Sequence, residues 1–113
     1  MNPAWTARLL LAQRATAVVL AFAVAIHLAT IIYAVRVGLN AGEILGRTRG
    51  SALFLAFYSI FVVAASIHAP IGLRNIFREW ANWRGRSLDL GMAAVSLILL
   101  ALGLRAAFAV YAG

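Results

Sequence analysis

The chain has 113 residues, 65% of them hydrophobic and 12% charged, with a mean hydropathy of +0.95. Soluble domains carry about 25% charged residues, so this is the composition of a membrane protein. Three acidic residues and no cysteine exclude disulfides, thiolate-held iron–sulfur clusters and covalently attached c-type haem, and they leave too little polarity to line a deep aqueous catalytic cleft.

All ten cations are arginine, and they sit at the ends of apolar segments, so the net charge of +7 is not a nucleic-acid signal. Three windows reach the ~20 apolar residues that a ~30 Å hydrocarbon layer requires. They run over about 15–35, 52–72 and 88–110. Helix is the only conformation that satisfies a backbone in lipid, which predicts an all-α protein with three transmembrane helices in a single transmembrane domain over 1–113.

The lip of the first span reads Ala12-Gln13-Arg14-Ala15-Thr16. Gln13, Arg14 and Thr16 are either a polar cap with a snorkelling arginine or a hydrogen-bonding set for the carbonyl oxygens of a quinone head group. His27 lies mid-span, with Thr30 three residues on as a partner for its ring or for its backbone. Arg36 closes the span like a membrane boundary, which argues against a signal peptide. Asn40-Ala41-Gly42 breaks the chain before span two.

Span two holds Ser66-Ile-His68-Ala-Pro70-Ile-Gly72-Leu-Arg74. Pro70 removes a backbone donor and disturbs the helix one turn back, and Gly72 gives room for close approach. An ionisable group at this depth is costly and marks a functional site, and imidazole is a frequent axial ligand of haem iron. His68 is therefore either such a ligand, with Arg74 near the surface to pair a haem propionate, or a histidine bonded to a neighbouring helix. The segment 80–86, with two Trp and two Arg, has an interfacial composition, and Trp5, Trp80 and Trp83 read as membrane-surface anchors. In span three Gly103 and Ala107 form a small-xxx-small pair for close packing, and Arg105 lies near the outer end.

Arginine counts set the orientation. Arg8, Arg14, Arg74, Arg78, Arg84 and Arg86 face one side, and Arg36, Arg47, Arg49 and Arg105 the other, which predicts a cytoplasmic N-terminus in a bacterial inner membrane.

The run His68-Ala-Pro-Ile-Gly72-Leu73-Arg74 resembles the second-helix signature of the cytochrome b membrane-anchor subunit of succinate dehydrogenase and fumarate reductase, and Gln13-Arg14-Ala15-Thr16 is similar to that family's first-helix motif. The sequence departs from the family at Gln13 and Ala17, where His and Gly are usual, at Asn75, where a second His often stands, and at Glu79, near the usual Asp. The resemblance implies a non-catalytic electron-transfer and anchor subunit that binds haem b, with one or two haems per complex. His68 would be an iron ligand, Arg74 a propionate partner, and Arg14, Thr16 and Gln13 the quinone contacts. Independently of the resemblance, His27 is a second candidate iron ligand at another depth, for a haem of its own with Arg36 or Arg105 near the outer propionates, or else is hydrogen-bonded to a neighbour.

The implied partners are an iron–sulfur subunit, a flavoprotein subunit, membrane lipid and a second membrane-anchor chain, a copy or a distinct subunit, that completes a larger helical bundle. The rivals are a b-type anchor of another respiratory dehydrogenase and a small transporter or scaffold. The latter would place a carboxylate inside a span, whereas Glu43, Glu79 and Asp89 fall in loops or at a boundary. On a rise of ~1.5 Å per residue the two histidines are offset in depth by roughly 12 Å, so they are expected not to share one iron.

Overall fold

A computed structural model describes residues 3–113. Their element order is α1 (Pro3–Val37), α2 (Ala41–Thr48), α3 (Ala52–Trp80) and α4 (Arg86–Ala112). The three long helices have the length and apolarity to cross a membrane. They are longer than their hydrophobic windows because helix propagation does not stop where lipid stops. The 35 residues of α1 span about 52 Å, well beyond the ~30 Å of hydrocarbon.

Helix α3 lies between α1 and α4 and packs on both. It meets α1 antiparallel, with Gln13 beside Gly72, Thr16 against His68, and His27 against Tyr58 and Phe61. It meets α4 antiparallel too, with Val62 at Gly103, Ser66 at Ser96 and Arg74 at Asp89. Two stripes of α3 therefore do the packing. Tyr58, Phe61, His68 and Gly72 face α1, and Val62, Ser66 and Arg74 face α4. The facing stripe of α1 runs Gln13, Thr16, Leu20, Ala23, His27, with the alternating three- and four-residue spacing of a helix–helix seam.

Burial is inverted relative to a soluble protein. Thr16, Thr48, Ser66 and Arg74 are buried, while Phe22, Leu53, Leu97 and Phe108 are exposed. Between helices that share an apolar surrounding, hydrogen bonds and small residues hold the seams rather than hydrophobic burial. Gly103 shows the second device, because a β-carbon there would overlap Val62 Cγ1.

The break after α1 differs in detail from the sequence expectation. Gly38, at φ +79°, ends the helix, with Leu39 N bonded to Ala34 O at 3.0 Å and Gly38 N to Val35 O at 3.2 Å, the pattern of a Schellman cap. Asn40 then starts α2: its Oδ1 accepts from Glu43 N at 2.8 Å while Glu43 Oε1 faces Asn40 N in a capping box. Gly42 is thus inside a helix. Helix α2 docks on the last turn of α4 through Thr48 Oγ1 to Val110 O at 3.0 Å and Gly50 N to Tyr111 O at 2.8 Å. Helix α3 extends through Trp80, so only residues 81–85 connect it to α4. Trp83 folds onto Phe77 there and donates from its indole nitrogen to Ser87 Oγ at 2.9 Å.

Candidate functional site

His68 is half-buried where α3 faces α1, and its Nδ1 lies 3.2 Å from Thr16 Oγ1. The Thr16 hydroxyl has one hydrogen, which it donates to the carbonyl of Ala12 at 2.7 Å, one helical turn back. Gln13 O lies 3.1 Å away as a second carbonyl acceptor, so with its hydrogen on the backbone the Thr16 oxygen can accept from His68, the arrangement of an Nδ1-protonated ring. In the neutral imidazole this leaves the Nε2 lone pair unprotonated. A metal-binding histidine has this arrangement, with one nitrogen donating to a neighbour that fixes tautomer and ring orientation and the other left for the metal.

One turn from Thr16, Gln13 packs its amide nitrogen against Gly72, where an added β-carbon would lie 3.4 Å away. Gln13 Oε1 is buried and has no hydrogen-bond partner among the described residues. An unpaired buried acceptor costs about 1–3 kcal/mol, so a donor arriving beside it would be bound with gain. Arg14 is exposed on the neighbouring face. Of the three polar residues at the lip of span one, Thr16 is thus committed to its own backbone and to His68, leaving Gln13 and Arg14 available to a ligand.

Arg74 stands elsewhere. Six positions after His68, it is rotated about a third of a turn around α3. Its side chain is 8% exposed, and Nε donates to Asp89 Oδ1 of α4 at 2.7 Å. The pair borders a cavity of ≈ 400 Å³ shared with Trp5, Ile71 and Met92. Arg74 therefore lies on the α4 side of α3, and His68 on the α1 side.

His27 has different surroundings. Its ring meets the edges of Tyr58 and Phe61, with centroids at 5.7 and 5.8 Å, and Nδ1 is buried with no hydrogen-bond partner among the described residues. Thr30 Oγ1 donates to the His27 backbone carbonyl at 2.6 Å and does not reach the ring. His27 borders an apolar cavity of ≈ 650 Å³ with Thr48, Tyr58, Gly103 and Ala107. Measured from their contact points, the histidines are far apart in depth. Thr16 marks the level of His68 and lies 11 residues, about 16 Å, before His27 along α1. Arg36 and Arg105 are both exposed, Arg36 in the last turn of α1.

Among the described residues no three His, Cys, Asp or Glu side chains gather as a polydentate metal centre. No family model, curated protein or solved structure matches the chain.

Proposed function

We propose that this chain is a haem-b-binding membrane anchor of a succinate:quinone oxidoreductase or fumarate reductase. It would tether the iron–sulfur and flavoprotein subunits and form part of the path between them and membrane quinone. The observation that carries the reading is His68. Its Nδ1 lies 3.2 Å from the Thr16 hydroxyl oxygen, an arrangement that suits an Nδ1-protonated ring with Nε2 left for a metal, and it lies in a helix apolar enough to cross a membrane. The sequence resemblance around His68 to Arg74 supports the same assignment.

Haem b supplies one-electron exchange between ferric and ferrous iron when bound. This chain would contribute one axial imidazole, and the second ligand and the opposite wall would come from a second membrane chain. The large exposed apolar side chains on α1, α3 and α4 would be covered by that chain and by lipid. Thr16 holds the His68 ring in one tautomer. Gln13 and Arg14 border the same end: the Gln13 carbonyl would accept a hydrogen bond from a quinol hydroxyl once the ligand reaches it, and the exposed Arg14 guanidinium would donate one to a quinone oxygen. Propionate pairing, if Arg74 provides it, competes with the ion pair to Asp89.

The reading places one haem at His68. His27 lacks the supporting acceptor that a ligating imidazole uses, so it is read as an aromatic-caged histidine at the opposite depth. The N-terminus and the connection after α3 would face the cytoplasm. A cysteine at Asn82 would then be labelled only from that side.

The test is an optical spectrum of the complex purified through a tag on this chain and reduced with dithionite. A b-type α band, co-purifying with a flavoprotein and an iron–sulfur protein, is the expected result. A complex without haem contradicts the reading, and a haem complex carrying a nickel enzyme would keep the cytochrome and replace its partner.

A further inference from the structure

We propose that Ser96 of α4 is a positioning residue for His68, acting through the backbone break that Pro70 makes in α3. The inference rests on the reading of His68 as a haem ligand. Proline has no N–H, so a proline at 70 leaves the carbonyl of residue 66 without its helical donor, and its ring crowds that same carbonyl. The orphan is buried, because Ser66 is 2% exposed. The Ser66 hydroxyl does not fill the gap, since it donates to Val63 O at 2.9 Å. Ser96 does: its hydroxyl reaches across from α4 and donates to Ser66 O at 2.6 Å.

His68 sits inside the interrupted turn, two residues after Ser66 and two before Pro70. A helix whose ladder is broken by proline bends at the break unless the freed group is taken up by a neighbour. Ser96 takes it up, so it fixes the backbone that carries His68 to α4. Thr16 fixes the ring of His68 from α1. The imidazole is thus held from both flanking helices, through its main chain on one side and its side chain on the other. The Ser96 hydroxyl donates to the main chain of α3, so its action on His68 is through the backbone.

The chemistry makes a specific demand. If Ser96 matters because it replaces the donor that Pro70 removes, restoring that donor should make Ser96 dispensable. In Pro70→Ala the residue 70 N–H is available again to Ser66 O. The experiment uses the complex purified from membranes, with haem content per complex, the spin state of the ferric haem and assembly by size-exclusion chromatography as readouts.

Ser96→Ala should assemble but retain about ten-fold less haem through purification, the lower end of what loss of an outer-shell support costs, with a high-spin fraction in what remains. Ser96→Thr, which keeps the hydroxyl, should behave as the parent. Pro70→Ala with Ser96→Ala should recover parental haem content and spin state.

Unchanged haem in Ser96→Ala would overturn the proposal and leave His68 as ligand. Loss in Ser96→Ala that Pro70→Ala does not repair would also overturn it, because Ser96 would then act through α3–α4 packing. A parent complex with no haem at all would remove the His68 reading and this inference together, whereas the two outcomes above, in a parent that holds haem, sink this inference alone.

Discussion

The two histidines lie in the same seam between α1 and α3, yet their surroundings have little in common. At His68 every polar neighbour is arranged. Thr16 takes the Nδ1 proton, Gly72 makes room for Gln13, and Ser96 fills the backbone gap left by Pro70. At His27 the ring is caged by Tyr58 and Phe61, its Nδ1 has no hydrogen-bond partner among the described residues, and the Thr30 hydroxyl donates to the backbone. Residue type and the seam they share do not tell the two apart. What separates them is the second residue, the one that decides which ring nitrogen keeps its proton. A histidine in a transmembrane helix is thus informative only together with its hydrogen-bond partner.

The contrast can be broken by substitutions that act on one end alone. Thr16→Val keeps the shape of Thr16 and removes the acceptor for His68 Nδ1. Haem retention through purification should fall by about ten-fold or more, as loss of an outer-shell partner does. Pyridine haemochrome quantification against complex protein measures it.

At the other end, Gly103→Val would drive a side chain into Val62 and part α3 from α4. It should cost about 1–3 kcal/mol, the usual range for overpacking, and appear as a lower melting temperature in detergent. Haem that survives assembly should keep its parental spectrum, since Gly103 lies at the depth of His27.

His27→Leu sharpens the comparison further. It removes an unpaired buried nitrogen and keeps an apolar side chain, so thermal stability should rise by about 1 kcal/mol while haem content stays at the parental value. Loss of a haem in this variant would give the His27 end a cofactor of its own.

The smallest effect is expected from Asp89→Asn. It removes the charge that pairs Arg74 of α3, but Asp89 is 49% exposed, so solvent screening limits the loss to at most about 1 kcal/mol. Haem spectrum and content should not change, because the pair lies on the α4 side of α3. A haem loss here as large as that of Thr16→Val would place Arg74 in the site after all.

The spans were legible because ~20 continuous apolar residues have one solution in lipid, and the windows at 15–35, 52–72 and 88–110 all fall within observed helices. Their ends were not, since α1 begins at Pro3 and α3 continues to Trp80 through polar positions that helix tolerates outside the membrane. Helix α2 escaped notice because Asn40-Ala-Gly reads as a turn. Its signal was the pair Asn40 and Glu43, a capping box three residues apart.

Gln13, Thr16 and His27 were each visible as polar residues. Their membership of one stripe, at spacings of three to four residues, is what ties Thr16 to α3, and that periodicity was present in the sequence. Arg74 reads in the sequence as a propionate partner beside His68, and Asp89 as a boundary acid. Only the antiparallel register of α3 and α4 brings them to 2.7 Å. Ser96 carried a signal too: it is the sole hydroxyl in the 88–110 window, and Pro70 implies a carbonyl in need of a donor.

The central claim is that the Nε2 of His68 is an iron ligand, and chemical rescue tests it most directly. The complex carrying His68→Gly is purified, reduced and scanned through the α-band region before and after addition of imidazole, beside His27→Gly. The account predicts that the b-type band is lost in His68→Gly, returns in part with imidazole, and is unchanged in His27→Gly. A full b-type band in His68→Gly without imidazole would contradict it.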